Sequence, residues 1–174
     1  MKKPSISELI KLLDKPALLN WANKQGLKGI DISKSKSKQE GTSIHQQIER
    51  YIRHGVSFDE IHNQLYFDKL FSDKKIIHNE LEVETDYFKG RLDLCYSKND
   101  VIYISDFKLN RNQVYFEDKL QLVAYSMAVK CSKFSIISVP DFKEIDVHIP
   151  DVDKYINIIK SLSDIYINKQ LINA

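Results

Sequence analysis

Residues 90–110 read GRLDLCYSKNDVIYISDFKLN, and the fold turns on how they are interpreted. Two runs of strand-forming residues flank the polar stretch SKND, a spacing that predicts antiparallel strands joined by a short turn. The charges are the oddity. The second run ends in Asp106, Phe107 and Lys108, and the first carries Asp93 thirteen residues earlier. Side chains two apart on a strand share a face. Asp106 and Lys108 therefore project with Ile102 and Ile104, while Val101, Tyr103, Ser105 and Phe107 take the other side. Apolar residues on both faces mark a central strand covered on both sides. Charges at the end of such a strand are costly unless paired, neutralised or bound to an ion. On the first run Arg91, Asp93 and Cys95 share one face and Leu92, Leu94 and Tyr96 the other. Antiparallel pairing across the turn brings Asp93 within reach of Asp106.

Two carboxylates and a lysine at one sheet edge suit a hard divalent cation, Mg²⁺ or Mn²⁺, with a fixed cation beside it. Such a metal activates a bound water and offsets charge on a phosphoryl oxygen, and the lysine can hold that water or stabilise the added negative charge. An isolated Asp-x-Lys is more simply a structural ion pair between Asp106 and Lys108. The neighbouring elements decide between the two.

Outward from this hairpin the periodicity changes. SISELIKLLDK predicts a short helix capped by Ser5 or Ser7, with Ile6, Leu9, Ile10 and Leu13 on one side. A second helix begins at Pro16 and ends at Gly26. The stretch with Lys34, Lys36 and Lys38 reads as a basic loop, either solvated or contacting phosphate. The next helix has a possible capping box at Ser37 and Glu40, a core stripe of Ile44, Ile48, Tyr51 and Ile52, and His45 with Glu49 along its flank. SFDEIHNQLYFDKLFSD follows, with Ile61, Leu65 and Leu70 expected inward. KIIHNELEVET adds a strand before the opening hairpin. FEDKLQLVAYSMAVKC returns to helical spacing, with Leu120, Val123, Ala124, Met127 and Cys131 toward the core and Gln121 and Tyr125 on a flank. Two further strands, KFSIISVP and EIDVHIP, and a terminal helix from Asp151 complete the chain. The order predicts an α/β fold, a mixed sheet of about five strands flanked by helices. Its 174 residues are expected to form one domain: 1–72 mainly helical, 73–174 the sheet core.

The ordered motifs resemble the RecB-type branch of the PD-(D/E)XK nuclease superfamily. The Gly-x-x-Asp strand is Gly90 to Asp93, the Asp-x-Lys strand Asp106 to Lys108, and the Gln-x-x-x-Tyr helix Gln121 with Tyr125. GTSIHQQIERYI matches the family's early helix and puts His45 in the histidine position. The resemblance implies a restriction-endonuclease-like core and metal-dependent hydrolysis of DNA. It implies that His45, Asp93 and Asp106 hold the ion, that the main-chain carbonyl of Phe107 adds a ligand, and that Lys108 assists the water. Gln121 and Tyr125 would then position the phosphate or a nearby nucleotide. The family often has a glutamate on the preceding strand, where Glu80, Glu82 and Glu84 share one face by parity. Glu80, thirteen residues before Asp93, has the most natural spacing.

Family members that consist of little more than this core resemble single-strand exonucleases of phage and mitochondria. The expected substrate is therefore DNA, single-stranded or at frayed ends, in replication, recombination or repair. A single-strand track needs basic residues and stacking platforms. Lys34, Lys36, Lys38, Arg111 and the lone tryptophan, Trp21, are the candidates, Trp21 being equally suited to the core. An endonuclease of the same superfamily and a non-catalytic nucleic-acid-binding module are the alternatives. A CRISPR-type adaptation nuclease typically carries four cysteines for an iron–sulfur cluster, and this chain has two, Cys95 and Cys131.

Composition agrees with a soluble protein: 43% hydrophobic, 29% charged and a net charge of +2, which permits a polyanionic partner without demanding one. No apolar run is long enough for a membrane span, and the basic start lacks the apolar region of a signal peptide. Free thiols in apolar surroundings point to the cytoplasm.

Overall fold

The structure is a computed structural model that describes residues 3–13, 36–131 and 133–172, with the backbone alone for residues 36–42. Helices α1 (Ile6–Ile10), α2 (Lys36–His54) and α3 (Ile61–Phe71) precede strands β1 (Lys75–Glu84), β2 (Lys89–Lys98) and β3 (Val101–Leu109). Helix α4 (Phe116–Ala128), strands β4 (Lys133–Val139) and β5 (Lys143–Val147) and helix α5 (Val152–Ile172) follow. The five strands make one sheet in the order β1-β2-β3-β4-β5. All neighbouring pairs are antiparallel except β3 with β4. That one parallel pair needs a crossover, which α4 supplies. The fold is thus α/β with a mixed sheet of five strands flanked by helices, as the order of periodicities predicts.

Asn99 and Asp100 close the β2–β3 hairpin with φ of +50° and +61°. Two left-handed residues in a two-residue turn match the twist of the strands they join, and Asn and Asp tolerate that conformation better than other side chains. The turn sets the register. Leu94 pairs with Ser105, and one step further Asp93 comes level with Asp106.

Each face of the sheet is covered. Ile6 and Leu9 of α1, Leu120 and Val123 of α4 and Ile159 and Leu162 of α5 pack on Cys95, Ile104 and Ile136. Ile44 and Ile48 of α2 and Phe67 and Phe71 of α3 pack on Leu94, Tyr96, Phe107 and Ile137. Burial of these side chains, at about 1.5–3 kcal/mol each, supplies the main drive to fold. The start of β3 differs from the expected covered strand, because Val101 and Ile102 remain exposed. At α1, Ser5 is the cap: its Oγ accepts from the Glu8 amide (3.2 Å) and the Glu8 carboxylate accepts from the Ser5 amide (2.7 Å).

Helix α3 corrects one expectation. Ile61 and Leu65 are exposed, and Asn63, Phe67 and Phe71 face inward. The helix is apolar on more than one side, so periodicity does not single out a face. Phe67 meets Tyr51 and Phe142 edge-on at 5.5 Å, and Phe58 lies 6.0 Å from Phe142. Burying aromatic rings in such a cluster removes more apolar area than burying Ile61 and Leu65. Helix α2 also starts earlier than its expected cap. Ser37 lies inside it, and Lys36 and Lys38 occupy its first turn and not a loop. Cys131 sits beyond the end of α4, half-buried, while Cys95 is buried; both are free thiols. Trp21, Lys34 and the helix expected from Pro16 lie outside the described residues. No helix among the described residues is long and apolar enough to cross a membrane.

Candidate metal centre and active site

Besides a register shift between Ile76 and His78, alternation along β1 and β2 breaks between Leu92 and Leu94. Leu94 packs toward α2 and α3, whereas Leu92, two residues away, packs toward α1, α4 and α5. Across the ladder Asn79 pairs with Leu94 and Leu81 with Leu92, which leaves Glu80 and Asp93 at the break. Glu80 there has φ of +51°, a left-handed conformation that a glutamate rarely adopts. The break turns the two carboxylates into one pocket. Glu80 is 6% exposed and Asp93 9%, while Glu82 and Glu84 stay at the surface, so strand parity alone misplaces the three glutamates on a common face.

His45 reaches this pocket from α2. Its Nδ1 lies 3.8 Å from Glu80 Oε1 and 3.8 Å from Asp93 Oδ2. Its Nε2 lies 3.3 Å from the carbonyl oxygen of Phe107. A carbonyl only accepts, so Nε2 carries the hydrogen, and Nδ1 is the nitrogen that faces the two carboxylates. The carbonyl oxygen of Phe107, expected as a ligand to the ion, lies here against the imidazole. The Phe107 amide donates to Asp93 Oδ2 (3.0 Å). Potential ligand atoms of His45, Glu80 and Asp93 all lie within 4.8 Å of one another.

Asp106, 1% exposed, stands beside this group with its carboxylate ion-paired to Lys108. Lys108 Nζ also donates to Gln121 Oε1 (3.1 Å), and Gln121 Nε2 donates to the Tyr125 hydroxyl (3.3 Å). A continuous polar chain therefore runs from Asp106 through Lys108 and Gln121 to Tyr125. Gly90 belongs to the same construction. A Cβ there would sit 3.0 Å from Tyr125 Cε1 and 3.3 Å from Ile6 Cγ2, so any larger residue requires the tyrosine ring or Ile6 to give by a few tenths of an ångström.

Electrostatics marks the pocket as short of positive charge. Burial first, then the charge of Asp106, pushes the Asp93 carboxyl up to about 7, against the pull of His45 and the Phe107 amide. Burial works to lower the basicity of His45, yet its contact with Glu80 and the charges of Asp93 and Asp106 prevail and raise it. Lys108 likewise resists its burial: Asp106 above all, with Asp93 and Asp118, holds its pKa above the ordinary value. It stays a cation. Tyr125 is pushed well above the usual phenol range, by burial and then by Asp106, and stays protonated. One imidazole and crowded carboxylates are a donor set compatible with a hard divalent cation such as Mg²⁺ or Mn²⁺.

Two arginines that sequence patterns did not single out shape the pocket. Arg91 Nε pairs with Glu80 Oε2 at 2.6 Å, leaving Oε1 toward His45. Its shared parity with Asp93 was the available signal. Arg53 of α2 donates to the carbonyl oxygen of Asn79 (3.1 Å), and nothing in the sequence indicates that reach. Arg111 lies at the rim, in a groove of about 540 Å³ that Lys11, Lys108 and Gln121 also line. It pairs with Asp118 at 3.1 Å and stacks over the Tyr115 ring at 4.5 Å.

No family model and no curated protein matches this chain. Among solved structures it is similar to one titled "Crystal structure of SSO0001", at 14% identity and a TM-score of 0.46, over 92% of this chain and 74% of that one. That likeness is too distant to bear on activity.

Proposed function

We propose that the chain is a metal-dependent deoxyribonuclease that hydrolyses DNA phosphodiester bonds as an exonuclease, with single strands or frayed ends favoured. The observation that carries this reading is the convergence of His45, Glu80 and Asp93 next to an Asp106–Lys108–Gln121–Tyr125 chain. The motifs of the RecB-type nucleases fall on these same positions, with Glu80 as the glutamate of the preceding strand.

In this reading His45, Glu80 and Asp93 hold Mg²⁺ or Mn²⁺, with Asp106 completing the acidic wall. A divalent cation there acidifies a bound water and offsets charge on the phosphoryl oxygens. The remaining roles belong to the protein. Lys108, pinned by Asp106 and Gln121 and kept protonated, serves as a fixed positive charge and donor to the developing oxyanion, not as a base. The Tyr125 hydroxyl accepts from Gln121 and so holds that amide beside Lys108. His45 is oriented by the Phe107 carbonyl, which sets the tautomer a ligand needs. The groove beside Lys108, with Arg111 and Tyr115 on its wall, offers a cation and an aromatic surface to the adjoining nucleotide.

End-labelled single- and double-stranded oligonucleotides and closed circular single strands, incubated with Mg²⁺, Mn²⁺ or EDTA, test the proposal. An exonuclease shortens linear strands progressively from an end, needs the metal and leaves circles whole. Discrete internal cuts or linearised circles make it an endonuclease. Retention of DNA without cleavage in either metal refutes the catalytic reading.

A further inference from the structure

Glu80 occupies an unusual backbone position on an edge strand. With β1 at the border of the sheet, its outward peptide groups have no strand to pair with among the described residues, and the left-handed turn at Glu80 loosens the ladder further. Such a kink persists only where its surroundings hold it. Arg53 is placed to do so. Its Nη2 donates to the carbonyl oxygen of Asn79 at 3.1 Å and approaches that of Glu80 at 3.5 Å. Its Nη1 pairs with Glu49 at 3.0 Å, one turn back on α2. His45, Glu49 and Arg53 follow at intervals of four, so one helical stripe carries both the imidazole and the guanidinium that grips the kink. From the opposite side, Asn79 Nδ2 donates to the carbonyl oxygen of Asp93 at 3.1 Å and ties the kink to β2.

We propose that Arg53 is a positioning residue that clamps the reversed backbone at Asn79 and Glu80, and so keeps the Glu80 carboxylate aimed at His45 and Asp93. The proposal rests on the reading of that cluster as a cation site. The charged end of Arg53 touches no side chain of the three ligand candidates: it meets Glu80 only at the main-chain carbonyl and acts through that residue. Its side chain is 46% exposed, so its removal opens no core cavity.

The sign of the effect separates clamping from simple charge. Loss of a nearby positive charge should tighten cation binding, whereas loss of the clamp should weaken it. Mn²⁺ binding is measured by titration calorimetry without DNA, on the full chain, for wild type, Arg53→Ala, Arg53→Lys, Glu80→Ala and the Arg53→Ala/Glu80→Ala double variant. Arg53→Ala is expected to weaken Mn²⁺ binding about 10-fold, the scale of a lost partner of a metal ligand. Arg53→Lys, which reaches one carbonyl, recovers part of the loss. In the Glu80→Ala background the Arg53 change has no further effect. Unchanged or tighter binding by Arg53→Ala overturns the proposal, as does an equal loss with and without Glu80. Wild-type protein that takes up no Mn²⁺ instead overturns the cation site itself. Unfolding by urea in EDTA checks that each variant is folded, and Arg53→Gln replaces Arg53→Ala if the latter is not.

Discussion

Replacement of Asp93 by Asn makes the charge crowding in the pocket measurable as stability. The Asp93 carboxyl is raised from 3.8 to about 7, first by burial and then by Asp106. In an unfolded chain the group ionises near 3.8, so between that value and 7 the folded state binds a proton that the unfolded state has released. The folded state therefore loses stability as pH climbs through this window, and above it the loss is constant. A displacement from 3.8 to about 7 corresponds to on the order of 4 kcal/mol at pH 8 and to less than half of that at pH 5. Asn removes the ionisation, and its amide oxygen can still accept from the Phe107 amide. Asp93→Asn is thus expected to stabilise the metal-free protein, by a few kcal/mol at pH 8 and by less than half that at pH 5. Urea unfolding in EDTA at the two pH values reads the difference directly. Asp93→Asn that is no more stable than wild type at pH 8, or equally stabilised at both, refutes the picture of an uncompensated buried carboxylate. The same reasoning sets the metal response. Mn²⁺ must displace the proton on Asp93, so its stabilisation of the wild type should shrink as pH falls below about 7 and vanish in Asp93→Asn.

Other consequences are equally concrete. Asp106→Ala and Lys108→Ala should each lower cleavage of labelled single-stranded DNA by at least ~100-fold while the protein stays folded, and wild-type rates in both remove the site from consideration. Glu80→Gln should weaken Mn²⁺ binding in calorimetry, and Glu82→Gln should leave it unchanged, because only the first carboxylate is turned inward; equal effects contradict the break in the pleat. Gly90→Ala forces a methyl against the Tyr125 ring and Ile6, at a cost of about 1–3 kcal/mol in urea unfolding. A neutral result means that the ring and Ile6 yield by the few tenths of an ångström a methyl needs.

Much of this molecule is local. The SKND turn, the Ser5 cap with Glu8, the helical stripe of Ile44 and Ile48 and the alternation of β3 each depend on neighbours within a few residues, and all are legible in the sequence. So is the pairing that brings Asp93 level with Asp106, because a two-residue hairpin admits one register. The candidate site is legible to the same degree. His45, Asp93, Lys108, Gln121 and Tyr125 lie in motifs whose resemblance to the RecB-type pattern implies a common pocket, and the structure brings these side chains together. Gln121 and Tyr125 are readable because residues four apart share a helix flank.

What periodicity cannot supply is any choice made by a distant surface. Helix α3 has apolar residues on more than one side, and the aromatic cluster around Phe142, far along the chain, selects the Phe67 and Phe71 face. The three glutamates of β1 are indistinguishable by parity. Only the left-handed step at Glu80 tells them apart, and that step is held by Arg53 from α2 and by Asn79 against β2. Local spacing thus determined the elements, and the resemblance of the ordered motifs singled out most of the candidate side chains. The tertiary packing decided which carboxylates turn inward, because a break in the pleat is stabilised by contacts that no short stretch of sequence contains.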